Sequence, residues 1–239
     1  MPKTFDYAGH DLESMDFADK YHRLILELFA PYLGARVAEV GAGSGSFAAL
    51  LATEPISSLV AIEPSSTMYK RLRAEAEGIR NVDIEIYNGF LADCAKRLKP
   101  NPPNSFVYIN VFEHIEDDVA EMRQAFDLLP VGGHLCIFVP AMPGLYSEFD
   151  KSIDHFRRYT KAELEEKVGQ AGFSVEYARY FDWLGVAPWW LRFKLLKAKR
   201  MSAGAVRLYD TVGVPIIKLT ESIVPPPFGK NVILIARKP

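Results

Sequence analysis

A glycine-rich turn between an apolar strand and a helix constrains this chain more than any other stretch of its sequence. The run V-A-E-V-G-A-G-S-G-S-F spans residues 37–47, and its first four residues predict a strand that carries Glu39. Glycine permits positive φ and lets a ligand approach the backbone closely. The helix expected to begin at Ser46 presents unsatisfied N–H groups to such a ligand. The run therefore predicts a nucleotide-type binding turn.

The spacing of the glycines distinguishes between classes of nucleotide. A dinucleotide fingerprint, G-x-G-x-x-G, would need its third glycine at position 46, which is Ser46. The chain instead has E-x-G-x-G-x-G from Glu39 to Gly45, and an acid at that position suits a ligand with an α-ammonium and a sulfonium. Glu63 ends the next predicted strand, where an acid can accept both ribose hydroxyls. NAD enzymes place an acid there too, and a surface turn before Pro64 is the alternative.

Strands and helices alternate along the rest of the chain. Apolar runs predict strands over 37–40, 59–62, 82–87, 106–110, 134–139, 173–181 and 231–237, with helical segments between most of them. This alternation predicts an α/β fold with a doubly wound, mostly parallel sheet. Ligands of such sheets bind outside the carboxyl ends of the strands, which is where the glycine turn and Glu63 fall. We expect a single domain over 1–239.

Composition excludes some classes of partner and compartment. A net charge of -2 does not favour nucleic acid. We see neither a signal peptide nor an uncharged apolar run long enough to span a membrane. Two cysteines, Cys94 and Cys136, are expected to be buried free thiols in a reducing compartment. A cytoplasmic protein is therefore expected.

Several motifs resemble those of the class I S-adenosylmethionine (SAM) methyltransferases, in a small-molecule, type 11/12-like subgroup. Besides the glycine turn, they include I-N-V-F-E-H-I-E-D-D at 109–118, V-P-A-M-P-G-L-Y at 139–146, D-H-F-R-R-Y-T at 154–160 and P-P-P-F-G-K-N at 225–231. The resemblance implies a seven-stranded sheet whose last strand runs antiparallel, and SAM as methyl donor. It leaves the acceptor open, because acceptors vary widely within the family.

The resemblance also implies which residues bind SAM, at the ends of the first four strands. The third strand lacks the acid that often reads the adenine amino group in this family, so Phe90 is expected to stack on the adenine. Met68 is equally well explained as an adenine contact or as plain core. The expected cofactor-binding residues are Glu39, Gly41, Ala42, Gly43, Gly45, Glu63, Pro64, Met68, Asn88, Gly89, Phe90, Asn110, Val111 and Phe112.

Two histidines are candidate bases for an acceptor that must lose a proton, because neutral histidine suits that role near pH 7. His114 follows the fourth strand and could instead only shape its loop, and His155 lies in the D-H-F-R-R-Y-T run. The candidate acceptor contacts are Tyr21, Tyr146, Arg157, Arg158 and Tyr159. The two arginines could clamp a carboxylate or phosphate, or pair with acids such as Asp150 and Asp154. No Cys/His cluster has metal-ligand spacing, and we predict no metal.

The segment 183–228 is expected to form a helical insertion or lid before the last strand. Between Asp182 and Asp210 it has six basic residues and no acid, interleaved with all three tryptophans of the chain. This content favours a lid over an apolar acceptor or a homodimer contact, ahead of peripheral contact with an anionic membrane, with RNA least favoured.

The sequence therefore predicts a SAM-dependent methyltransferase acting on oxygen or nitrogen of a small-molecule or lipid-like acceptor. The alternatives are an NAD(P)-dependent oxidoreductase and a non-catalytic SAM-binding partner subunit.

Overall fold

Seven strands form one mixed sheet in the computed structural model, which describes residues 18–198 and 200–239. The strands are β1 Arg36–Val40, β2 Ser58–Glu63, β3 Asp83–Asn88, β4 Ser105–Ile109, β5 His134–Pro140, β6 Ser174–Phe181 and β7 Asn231–Arg237. Their order across the sheet is β3-β2-β1-β4-β5-β7-β6. Only β7 runs antiparallel to its neighbours, β5 and β6. The predicted α/β fold and its antiparallel last strand are confirmed.

Ten α-helices in the described residues precede or connect these strands. They are α1 Asp19–Phe29, α2 Ser46–Leu51, α3 Ser66–Ala76, α4 Leu91–Leu98, α5 Asp118–Leu128, α6 Glu148–Ser152, α7 Lys161–Gln170, α8 Val186–Trp189, α9 Ala203–Leu208 and α10 Val214–Ile223. A π-helical stretch, Trp190–Leu195, extends α8, and a second one, Tyr209–Gly213, joins α9 to α10. Residues 203–223 thus form one continuous helical rod. Among the described residues, no helix combines the length and the apolar character needed to cross a lipid bilayer.

Helices cover both faces of the sheet, and a separate apolar layer fills each side. Side chains of α4, α5 and α7 pack on one face, among them Leu91, Met122 and Leu164. Side chains of α1, α2 and α10 pack on the other, among them Ile25, Leu51 and Ile217. Every residue of β1 is buried, as expected for a parallel strand covered on both faces.

The turns at the carboxyl edge of the sheet adopt unusual backbone conformations. Asn110, Met142 and Asp182 have φ of 52°, 58° and 65°, in the left-handed region that residues other than glycine rarely occupy. They follow β4, β5 and β6, so three neighbouring turns of one sheet edge share this feature. Such conformations persist where the surrounding structure fixes them, and they concentrate at functional sites.

Candidate active site

A cavity of about 240 Å³ lies at the carboxyl edge of the sheet. The glycine turn after β1 lines one end, and the loops after β4 and β5 line the other. Of the residues proposed from the sequence, the cavity brings together Tyr21, Glu39, Gly41, Ala42, Gly43, Glu63, Pro64, Met68, Asn110, Val111, His114, His155 and Arg158.

The glycine turn is held against β2 by its own backbone. The N–H groups of Gly41 and Ala42 both donate to the carbonyl of Ile62, at 2.8 and 3.0 Å. Gly41 has φ of 74°, and a Cβ added to it would lie 2.5 Å from Cγ2 of Val111. A side chain is therefore excluded at this position by both conformation and space.

Glu39 places a buried carboxyl group beneath the glycine turn. The residue is 2% exposed, and its Oε2 has no hydrogen-bond partner among residues 18–198 and 200–239. Burial, and then the nearby charge of Glu63, raise the pKa of this carboxyl from 4.5 to about 8. An unpartnered buried carboxyl group at a cavity wall is a natural partner for a cationic ligand group.

Glu63 is fixed by two backbone donors. Its Oε2 accepts the N–H of Gly43 at 2.7 Å, and its Oε1 accepts the N–H of Ser65 at 2.8 Å. Burial raises the pKa of this carboxyl group, while those two hydrogen bonds act in the opposite direction. A carboxylate oxygen can accept more than one hydrogen bond, so Glu63 retains the capacity to accept two ligand hydroxyls.

Five of the proposed cofactor residues lie outside the cavity lining. Gly45 is the N-cap residue of α2, with φ of 93°, and packs tightly against α3. Asn88 braces the β2 end, since its Nδ2 donates to the carbonyl of Glu63 at 2.8 Å. Gly89 donates its N–H to the same carbonyl at 3.1 Å, Phe90 is 46% exposed, and Phe112 is fully buried in the core.

The far end of the cavity joins the two candidate bases. The rings of His114 and His155 meet edge to face, with centroids 4.5 Å apart. Nδ1 of His155 lies 3.2 Å from Oδ1 of Asp150, and its Nε2 lies 3.9 Å from Oε1 of Glu113. Because a carboxylate accepts hydrogen bonds, Asp150 places the proton on Nδ1 of His155 and leaves Nε2 as the basic atom.

Burial shifts the pKa values of the ionisable groups at this end of the cavity in different directions. It lowers the pKa of His114 to about 3, with a further contribution from neighbouring His155. It raises the pKa of Glu113 to about 7, and neither carboxylate oxygen of Glu113 has a hydrogen-bond partner in the described part of the chain. Burial also opposes the charge on Asp150, yet hydrogen bonds from His155 and Ser147 and the Arg158 guanidinium hold the pKa of Asp150 at about 2.

Glu113, His114 and His155 could also be considered as metal ligands, because their ligand atoms all lie within 4.8 Å of one another. Metal-ligand spacing along the sequence does not show this group, since His155 comes from a different loop. The absence of a metal stays a prediction.

The remaining acceptor candidates divide between the cavity and the loop that supports it. Arg158 lines the cavity, pairs with Asp150 at 2.7 Å and lies over the ring of Trp189 at 4.6 Å. The other three fix the loop 154–160: Arg157 pairs with Asp118 at 2.9 Å, Tyr159 donates to Asp118 at 2.7 Å, and Tyr146 donates to the carbonyl of His155 at 2.6 Å.

Lys230 is a cavity residue that we did not predict from the sequence. Its ammonium lies 3.0 Å from Oδ2 of Asp182 and 5.0 Å from the ring centroid of Tyr21. The preceding Gly229 allows this approach, since a Cβ there would lie 2.3 Å from the carbonyl oxygen of Phe181. The P-P-P-F-G-K-N run contains Lys230, but the run alone does not predict a cavity position, because Asp182 and Tyr21 are distant from Lys230 in sequence.

A second cavity, of about 140 Å³, adjoins the first and lies among α1, α8 and α9. Four residues, Tyr21, Trp189, Met201 and Lys230, line both cavities. Much of the rest of the second cavity is apolar, with Val206 and Phe193 among its walls. The segment 183–228 therefore contributes Trp189 and Met201 to the cavity that contains the histidines. It also contacts the residues that support the loop 154–160, since Lys194 donates to the carbonyl of Tyr146 at 2.6 Å.

Comparison with known proteins identifies relatives of this architecture. A family model described as a methyltransferase domain matches residues 11–178. No curated protein matches the sequence. Many solved structures share the fold.

A SAM-dependent methyltransferase from Archaeoglobus fulgidus has a TM-score of 0.62 and 17% identity, over 95% of this chain and 98% of that one. A putative methyltransferase from Bacillus halodurans has a TM-score of 0.60 and 18% identity, over 91% and 98%. A putative methyltransferase from Haloferax volcanii, solved in complex with the Trm112 methyltransferase activator, has a TM-score of 0.58 and 16% identity, over 97% and 100%.

Proposed function

The chain belongs to the SAM-dependent methyltransferases, and we propose that it methylates an oxygen or nitrogen atom of a small-molecule or lipid-like acceptor. The observation that carries the proposal is that one cavity has two chemically different ends. Its first end carries the buried carboxyl group of Glu39 below a glycine turn, with one oxygen that finds no hydrogen-bond partner in the described structure. Its other end carries a histidine held by a carboxylate. A donor and an acceptor of a methyl group need such a joint site.

The glycine-turn end suits the cofactor. Glu39 would bind the α-ammonium of SAM, which removes the cost of an unpaired buried carboxyl group. Glu63 would accept the ribose hydroxyls on lone pairs not used by Gly43 and Ser65. Gly41 keeps the turn open, because a Cβ there would occupy the space next to Val111. When bound, SAM supplies a methyl group already activated on a sulfonium.

The histidine end suits an acceptor that must lose a proton. We infer that Nε2 of His155 receives it, because Asp150 holds the proton on Nδ1 and stabilises the imidazolium that forms. Arg158 keeps Asp150 in place through their 2.7 Å ion pair. His114 is a weaker candidate, because burial lowers its pKa to about 3, so it contributes a neutral wall to the site.

The acceptor's body would contact mainly apolar and aromatic side chains. Phe149, Ile153 and Trp189 line the histidine end, and the second cavity continues beyond Trp189. Lys230, which lines both cavities, places a cation between them, beside Asp182. These surroundings favour an acceptor with a reactive polar end and an apolar remainder.

Methyl transfer from radiolabelled SAM to a panel of acceptors tests this proposal. The panel should pair a phenol, a primary amine and a thiol, each with and without an alkyl chain. We expect labelled product from the alkylated phenol or amine, and its loss in a His155→Gln variant that still binds SAM. Glu77→Gln, on an exposed carboxylate remote from the cavity, is the matched control. SAM binding without transfer to any oxygen or nitrogen acceptor would overturn the proposed acceptor class.

A further inference from the structure

The rod formed by α9, the π-helical stretch and α10 exposes an unusual apolar stripe. Five large aliphatic side chains on it are 42–73% exposed: Leu208, Val212, Ile216, Leu219 and Ile223. They recur at intervals of four, four, three and four residues, which places them along one side of a helix. The outward side of a helix on a water-exposed surface is normally polar.

The core of the protein does not explain this stripe, because a different side of the rod packs inward. Val214 and Ile217 belong to the apolar layer below the sheet. Asp210 is buried and accepts the N–H groups of Lys20 and Tyr21, at 3.2 and 2.9 Å, which fixes the rod to the start of α1. The rod is therefore apolar on two sides, and only one of them contacts the rest of the described protein.

The exposed charges of the segment that carries the stripe are all positive among its described residues. The segment 183–224 contains two acids, Asp210 and Glu221, and both are buried. Glu221 accepts the N–H groups of Asp182 and Trp183. By contrast, basic side chains of the same segment are exposed, namely Lys194, Lys197, Arg200, Arg207 and Lys218. Lys218 pairs with Glu27 of α1 at 2.7 Å.

We propose that this face, the stripe together with its basic flanks, docks on an anionic lipid surface. A helix with an exposed apolar side and surrounding Lys and Arg matches the interfacial helices that lie in the headgroup region of a bilayer. Anionic headgroups attract such basic flanks. A second copy of the chain fits less well, because a twofold contact places the same positive surface on both partners.

The position of the rod relates the docking to the binding of an acceptor. Val206 of α9 and Tyr209, the first residue of the π-helical stretch, line the second cavity, while Leu208 between them is 66% exposed. The apolar chain of an acceptor in the lipid surface would thus have only the thickness of α9 between it and a cavity that adjoins the transfer site. This relation rests on the proposed function, whereas the docking itself does not.

Vesicle sedimentation of the full chain tests the docking. We expect binding to vesicles that contain phosphatidylglycerol, weak binding to phosphatidylcholine alone, and loss of binding in high salt. A double variant, Leu208→Ser with Leu219→Ser, should bind the anionic vesicles about tenfold more weakly, since apolar burial contributes to the affinity. Val131→Ser is the control, because Val131 is 77% exposed outside this segment. A charge variant, Lys197→Glu with Arg200→Glu, should lose the preference for anionic vesicles.

Calorimetric titration with SAM shows whether the variants are folded, and it separates this proposal from the proposed function. We expect unchanged SAM affinity in both double variants. Equal vesicle binding by the wild type and the stripe variant would overturn the docking. So would sedimentation as a dimer that the stripe variant abolishes, if the wild type does not bind anionic vesicles.

Discussion

Replacing Glu39 with glutamine should change both the stability of the protein and the way it binds SAM. The carboxyl group is 2% exposed and its pKa is raised from 4.5 to about 8, by burial and by Glu63. The folded state therefore holds a proton that the unfolded state releases above pH 4.5. The contribution of Glu39 to the free energy of unfolding is therefore greatest below that pH and is lost as the pH rises to about 8.

The size of the effect follows from the two pKa values. Between pH 5 and pH 8, Glu39 should cost the ligand-free protein about 3 kcal/mol of stability that the Glu39→Gln variant does not lose. Glutamine buries an amide in place of the carboxyl group, which adds a pH-independent cost of about 1–3 kcal/mol. The difference in pH slope between the two proteins is therefore the quantity to measure, by urea unfolding at each pH.

SAM binding should show the same ionisation. Below pH 8 the carboxyl group must release its proton to pair with the α-ammonium, so the affinity should rise more than tenfold from pH 6 to pH 8. Above about pH 8 the amine of free SAM itself loses its proton, and the affinity should fall again. At pH 8 the variant should bind SAM about 10- to 100-fold more weakly, as expected for one charge-assisted hydrogen bond.

Isothermal titration calorimetry in two buffers of different ionisation enthalpy measures both affinity and proton release. Wild type should release close to one proton at pH 6.5, and the glutamine variant should release none through this group. Glu77→Gln, which changes an exposed carboxylate, should behave as wild type. A wild-type affinity that does not change between pH 6 and pH 8 would show that Glu39 is not the partner of the ammonium.

Three further outcomes are expected. Gly41→Ala should reduce SAM affinity at least about tenfold, because its Cβ would lie 2.5 Å from Val111. Gly169→Ala is the control, since its Cβ would have open space around it. Equal SAM affinities of the two variants in calorimetry would show that Gly41 is not part of the site. His155→Gln should lower the rate of methyl transfer by about 10²–10⁴ at unchanged SAM affinity, and an equal rate would leave catalysis to positioning. Dialysis against a chelator should not change the transfer rate, and a loss that divalent metal restores would contradict the prediction that no metal binds.

Local patterns were sufficient to predict the strands, whereas the antiparallel direction of the last strand was implied by the family resemblance. The predicted strand over 231–237 coincides with Asn231–Arg237, and the predicted strand over 106–110 differs from Ser105–Ile109 by one residue at each end. Such strands are recognisable because they are apolar throughout and bounded by turn residues. The edge of the sheet at which the cavity lies could be predicted as well, since the carboxyl ends of parallel strands meet at one edge.

The direction of individual side chains could not be read in the same way. Arg157 and Arg158 are neighbours, yet only Arg158 lines the cavity, where it pairs with Asp150, whereas Arg157 pairs with Asp118. Neighbouring side chains of an extended segment point in opposite directions. The sequence does not specify which of the two arginines faces the ligand. The position of Lys230 is equally hard to predict, because Lys230 pairs with Asp182, which follows β6 and is distant in sequence.

The position of β7 in the sheet affects the order in which the enzyme can be completed during synthesis. In the described sheet, β6 pairs only with β7, so β6 has no partner until residues 231–237 have left the ribosome. The cofactor end, built from β1, β2 and β4, can form much earlier. A nascent chain could therefore hold its methyl donor before Lys230 and Asn231 complete the acceptor end.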